Sequence, residues 1–205
     1  AVPKALLGGD DYDSNYVPAW REGEKLAKEN DAALIAKAKD ALDEYGKDWA
    51  AFTGEDLDAE ALEDEIRRQV DAVLAAADAS VSYILSSVSA APALGSKGEV
   101  WFQVNFTDGT THVDGNKFDV TNNYGEDSIK AAVKAAIGSS IDTKVDETWN
   151  DFVDKVVVRI NRVADNGEVT SSASEDYAPG KNITVTYSFE YNDTVYTDST
   201  VITLK

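Results

Sequence analysis

Between Asp58 and Ala90 the apolar residues Leu62, Ile66, Val70, Val73, Ala77, Val81, Ile84 and Val88 recur at spacings of 4, 4 and 3. Such an eleven-residue repeat is the period of one face of a single long helix. At about 1.5 Å per residue the helix would extend about 48 Å, so other elements must pack along it or a second chain must meet it. Neither Gly nor Pro interrupts the stretch before Pro92 and Gly95. Its serines, Ser80, Ser82, Ser86, Ser87 and Ser89, are small enough to let a neighbour approach closely.

Shorter helices are predicted ahead of it. Residues 1–16, with Gly8-Gly9 and the polar cluster Asp10, Asp11, Asp13 and Asn15, read as irregular. A first helix starts near Pro18 and runs to about Glu29. Asn30 and Asp31 then cap a second, with Leu34, Ile35, Ala38, Ala41, Leu42 and Tyr45 as its stripe and Gly46 as its stop. Trp49 and Phe52 are placed as plugs of the core.

Composition changes at Gly95. Val100, Phe102, Val104 and Phe106 alternate with Trp101, Gln103 and Asn105, and Asp108-Gly109 is a two-residue hairpin signal. Return segments are expected through Thr110–Val113 and Lys117–Thr121. Ser128 caps a helix carrying Ile129, Val133, Ala136 and Ile137, and helical spacing resumes from Asp142 to Asp154. The β-branched run Val156-Val157-Val158, followed by the turn Ala164-Asp165-Asn166-Gly167, favours a strand at 155–164 over a continued helix. Strict alternation at Ile183, Val185, Tyr187, Phe189 and Tyr191, a turn at Asn192-Asp193 and a last strand to Leu204 complete a β-meander.

The expected class is α+β: an N-terminal helical bundle or hairpin with one long helix at about 58–90, then an antiparallel β-hairpin, a helix and a C-terminal β-meander. Residues 1–94 form the helical segment and 95–205 the α+β part, as two domains or one continuous one. Phe106–Asp114 parallels Tyr191–Asp198 with one gap, which either a duplicated helix-plus-hairpin unit or generic hairpin patterning explains.

Composition narrows function. The formal charge of −19 disfavours nucleic acid and anionic lipid, whose phosphates it would repel. Without cysteine, disulfides, thiolate metal sites and cysteine nucleophiles are excluded. No apolar run is long enough for membrane insertion. The start at Ala1-Val2-Pro3 fits either removal of an initiator Met or cleavage of a signal peptide.

Among candidate sites, Asp11, Asp13, Asn15 and Glu22 fall at positions 1, 3, 5 and 12 of a calcium loop, the oxygen pattern that Ca²⁺ requires. Tyr16 stands where the sharp bend needs Gly, so a solvated acidic loop before a helix is the plainer reading, and calcium is the one metal suggested. His112, the single histidine, lies beside Asp114 but has no nucleophile-elbow serine. The carboxylates Glu55, Asp56, Asp58, Glu60, Glu63, Asp64 and Glu65 crowd a helix start, where the dipole accounts for them. Asn105, Asn182 and Asn192 head glycosylation sequons, relevant only to a secreted chain.

The sequence therefore predicts a non-enzymatic structural subunit of an extracellular or cell-surface assembly, such as a surface layer, appendage or virion part. It would associate with itself or with other protein subunits through the long helix and β edges. The alternative is a surface binding module for glycan or protein, its exposed rings being Trp101, Tyr187, Tyr191 and Tyr196.

Overall fold

The computed structural model describes residues 17–46, 49–171 and 177–205, with side chains from residue 31 onward. The chain divides into two compact units, residues 1–123 and 124–205. The junction expected after residue 94 thus falls inside the first unit.

In unit 1, α1 (Val17–Tyr45) is one continuous helix. The break expected at Asn30-Asp31 does not occur, because the Lys-, Glu- and Ala-rich flanks favour helix strongly enough to carry through two weaker residues. Ile35, Ala38 and Leu42 form its buried stripe. After β1 (Phe52–Glu55), the helix α2 spans only Ala59–Ala76. Asp58 caps α2 by accepting from the Ala61 N–H at 2.8 Å, and Leu62, Ile66, Val70 and Leu74 are buried at every fourth position.

The long helix is therefore a mistaken expectation beyond Ala76. Asp78 adopts a left-handed φ of 49° and turns the chain, which returns as β2 (Tyr83–Ser86). From Ser80 onward serine and β-branched residues replace Ala, Glu and Arg, lowering helix propensity where the apolar spacing still fits. Val81, Tyr83 and Leu85, two apart, pack on the core, whereas Ile84 is 63% exposed. The strand period defeats the helical one here.

Strands β3 (Ser96–Phe106) and β4 (His112–Asn123) form the predicted hairpin, and the two expected return segments are one strand. Sheet order is β1-β4-β3-β2, with β1 parallel to β4 and the other pairs antiparallel. Trp49 is buried edge-on against Phe102 at 5.2 Å, in a helix-on-sheet core rather than a bundle. Buried Asn122 accepts from the Leu57 N–H at 2.9 Å and donates to the Pro92 carbonyl at 2.8 Å, tying three segments without an orphaned polar group.

Unit 2 runs α3 (Glu126–Ile137), β5 (Ser140–Ile141), α4 (Trp149–Ile160), β6 (Asp165–Val169), β7 (Asn182–Tyr191) and β8 (Thr194–Leu204). Residues 155–160 are helical, against the strand expected at 155–164. The Thr148–Asp151 capping box fixes the helix start, and Phe152, Val156 and Ile160 bury at i, i+4 and i+8, which outweighs the β preference of the valine run. Gly138, at φ 77°, ends α3 in a conformation that a side chain resists.

Both units thus follow helix, strand, helix, then three strands. Sheet order in unit 2 is β5-β8-β7-β6, again with the first strand parallel to the last. Leu62, Ile66 and Val70 of α2 match Phe152, Val156 and Ile160 of α4 in spacing and burial. The paired hairpin motifs at Phe106–Asp114 and Tyr191–Asp198 occupy the same place in each unit. The α+β class holds, with helices interleaved among strands rather than segregated to the N-terminal half.

Candidate interaction edge of the second sheet

β8 pairs with β7 over ten consecutive residue pairs without a bulge. The turn at Asn192 and Asp193 has φ of 48° and 60°, the left-handed pair that matches strand twist in a tight hairpin. Alternation along β8 then sends Tyr196, Asp198, Thr200 and Ile202 to the helix-covered face and Val195, Thr197, Ser199 and Val201 to the open face. Val195 is 69% exposed and Val201 56%.

Backbone direction follows the same parity. The Leu204 N–H points toward β7's end, donating to the Lys181 carbonyl at 2.8 Å, while those of Thr203 and Lys205 point the other way, to Ser139 and Ile141 at 2.9 and 3.0 Å. The odd-numbered residues of β8 therefore direct N–H and C=O groups to the β5 side. β5 pairs only with Thr203 and Leu204. Along Val195, Thr197, Ser199 and Val201 no strand lies opposite among the described residues. The Ser199 N–H bonds locally to the Asp198 carboxylate at 2.8 Å.

The other sheet edges are short or charged. β1 and β2 have four residues each, and β6 has five with Asp165 and Glu168 exposed. β4, the counterpart of β8, carries a register shift opposite Phe102–Val104, a left-handed Gly115 (φ 74°), and Lys117 and Asp119 on its open face. Bulges and edge charges block the addition of another strand, and β8 has neither along its open face.

On the open face of the first sheet, Trp101 is 46% exposed. The Lys117 ammonium sits 5.0 Å from its ring centre and bonds Glu99 at 2.7 Å. Beside it the Ser86 hydroxyl donates to Gln103 at 2.7 Å, Gln103 donates to Asp114, and Asp114 pairs with His112 at 3.2 Å. The other three predicted rings, Tyr187, Tyr191 and Tyr196, lie in or against the unit 2 core. Tyr187 is wholly buried, so its expected exposure is corrected: it lies on the core face of β7. Among the described residues its hydroxyl has no partner at hydrogen-bonding distance, and burial pushes it up to about 12, with the neighbouring Asp198 adding to the rise. The Tyr191 hydroxyl accepts from the Tyr124 N–H at 3.1 Å, and Tyr196 stacks on Phe189 at 5.6 Å, both packed against the unit 2 core.

Asp11, Asp13 and Asn15 lie outside the described residues, as does the side chain of Glu22, whose backbone belongs to α1. His112 borders a cavity of about 540 Å³ with Lys39, Asp43, Thr110, Thr111 and Asp114. Both threonine hydroxyls donate to Asp108, and with two backbone N–H bonds they hold its carboxyl down near 2. Among the described residues no serine lines the cavity.

Carboxylates do gather in unit 2, in a depression of about 350 Å³ lined by Asp146, Glu147, Asp151 and Asp154 with Lys144 and Lys155. Lys155 holds Glu147 below the usual carboxylate range, and Thr148 does the same for Asp151. Glycosidase chemistry needs the opposite shift on one partner, to keep a proton for the leaving group. A third cavity, about 620 Å³ between α1 and α2, is lined largely by alanines, and its one buried amide, Gln69, is committed to the Ala50 backbone at 3.0 and 3.1 Å.

The β8 edge was missed as a specific site in sequence. Its signal is the run Thr194-Val195-Tyr196-Thr197-Asp198-Ser199-Thr200-Val201, whose odd positions are all uncharged. No protein-family model, curated protein or solved structure matches the chain.

Proposed function

We propose that the protein is a non-enzymatic, self-associating subunit of an extracellular or cell-surface assembly, of the kind found in surface layers, appendages or virions. One observation carries this reading: the open, bulge-free edge of β8 with four uncharged residues directed outward. A strand added there gains main-chain hydrogen bonds and sheet-face contacts together. The strongly acidic balance keeps such a protein soluble while single edges pair. Light scattering over a concentration series is the test. Mass that grows with concentration supports the reading, and a constant monomer mass overturns it. Repeating the series in chelator shows whether calcium at Asp11, Asp13, Asn15 and Glu22 controls association.

A second reading rests on Trp101. An exposed indole beside the Ser86, Gln103 and Asp114 polar chain offers ring stacking and directional hydrogen bonds to a glycan or a protein loop. Glycan-array binding that disappears in Trp101→Ala would favour it over assembly.

A further inference from the structure

Which strand meets β8 follows from the symmetry of its own sequence. Counted outward from Asp198, Ser199 answers Thr197, Thr200 answers Tyr196, and Val201 answers Val195. Small hydroxyl residues flank the centre and valines stand at both ends of the open face.

We propose, resting on the self-association reading, that β8 pairs antiparallel with β8 of a second copy about a two-fold axis through Asp198. Such an isologous contact must be self-complementary, each residue meeting its mirror position in the partner. In this register Val195 lies opposite Val201 of the partner subunit, and Thr197 opposite Ser199 of the partner subunit. All four are residues whose backbone groups already face the edge, so the parity required for hydrogen-bonded pairs is met without a slip. Four such pairs give roughly eight main-chain hydrogen bonds once the Ser199 N–H exchanges the Asp198 carboxylate for the partner strand. A shift of either strand by one residue relative to the other would set outward-facing groups against groups engaged with β7.

The side chains agree with the register. On the open face only valine and hydroxyl residues meet, so no like charges oppose there. On the helix-covered face the two Asp198 carboxylates approach each other across the axis. Lys134 of α3 stands 3.7 Å from Asp198, so each copy brings a cation to its own aspartate, while Lys130, over the Tyr196 ring, pairs with Glu126. Tyr187 lies directly opposite the same aspartate on β7. The two carboxylates at the centre thus each stand beside the Lys134 of their own copy rather than as bare charges. A strand-edge contact alone is small, so association is concentration-dependent rather than obligate.

The chain contains no cysteine, which makes crosslinking clean. In an antiparallel hydrogen-bonded pair, Cα atoms are about 5.5 Å apart, within disulfide range. Val195→Cys and Val201→Cys should each fail to crosslink alone under mild oxidation, yet form a covalent dimer when mixed. Val201→Lys should weaken dimerisation roughly tenfold or more, because an edge lysine opposes strand addition. Circular dichroism of that exposed-site variant should match the parent. Either cysteine variant linking efficiently to itself overturns the register. Concentration-dependent mass that survives Val201→Lys unchanged overturns β8 pairing but leaves self-association standing. A parent protein that stays monomeric throughout overturns both.

Discussion

The two units build the same sheet and finish its hairpin differently. In unit 1 the return strand is interrupted: Gly115 bulges, Asn116 turns inward to donate to the Val113 carbonyl at 3.0 Å and accept from the Trp49 indole at 3.3 Å, and Lys117 and Asp119 charge the outside. In unit 2 the return strand runs straight, and Asp198 stands at the register position of Asn116, since Phe102 pairs with Asn116 and Tyr187 with Asp198. A single topology thus carries a guarded edge once and an unguarded edge once. The difference teaches that edge protection is a property of side-chain choice and bulge placement, not of the fold.

The sharpest way to probe the shared part is through the cores. Phe152→Ala and Leu62→Ala occupy matching turns of α4 and α2, both wholly buried or nearly so. The expected losses are about 3–5 kcal/mol for the phenylalanine and about 2–5 kcal/mol for the leucine, read as lower urea midpoints. A loss below about 1 kcal/mol at either site would break the equivalence.

To break the contrast between edges, Lys117→Val with Asp119→Val should make β4 resemble β8. The double variant should associate at concentrations where the parent does not, unless the Gly115 bulge alone suffices, and light scattering separates the two. Removing the unit 2 capping box by Thr148→Ala should cost about 1 kcal/mol in urea denaturation.

Tyr187→Phe deletes a buried hydroxyl with no hydrogen bond among the described residues and should leave stability unchanged or raise it by about 1 kcal/mol. The same hydroxyl has an alkaline signature. Its folded pKa is raised to about 12 from 10.0, so its ionisation costs the fold nothing below about pH 10 and increasingly favours unfolding as pH rises toward 12. Tyr187→Phe should flatten that part of the stability profile. The smallest effect belongs to the exposed turn of unit 1, where Asp108 is depressed from 3.8 to about 2. Its contribution is present above pH 3.8 and disappears as pH falls through 2, and an NMR titration of the Asp108 side chain should show the low midpoint.

Much of this was legible locally. Both hairpins announce themselves by two-residue alternation ending in Asp108-Gly109 or Asn192-Asp193, and Ile129, Val133 and Ile137 mark α3 by helical spacing. Two stretches misled. Val81, Ile84 and Val88 keep helical spacing while Val81, Tyr83 and Leu85 keep strand spacing, and only the partner β3 decides between them. Val156-Val157-Val158 prefers strand by propensity, yet Phe152, Val156 and Ile160 gain more by burial as a helix. The candidate edge was half legible: an outward row of Val, Thr, Ser and Val can be read from sequence, but whether another strand covers it depends on β5, which is two residues long.

Each sheet is sealed by its first strand lying parallel to its last, Phe52 beside Val120 in one unit and Ser140 beside Thr203 in the other. Closure therefore joins residues far apart in sequence and comes after the local hairpins. During synthesis this ordering acts as a safeguard. Two units of like topology risk exchanging strands, but the last strand of the first, ending at Asn123, is made ahead of the earliest strand of the second, at Ser140.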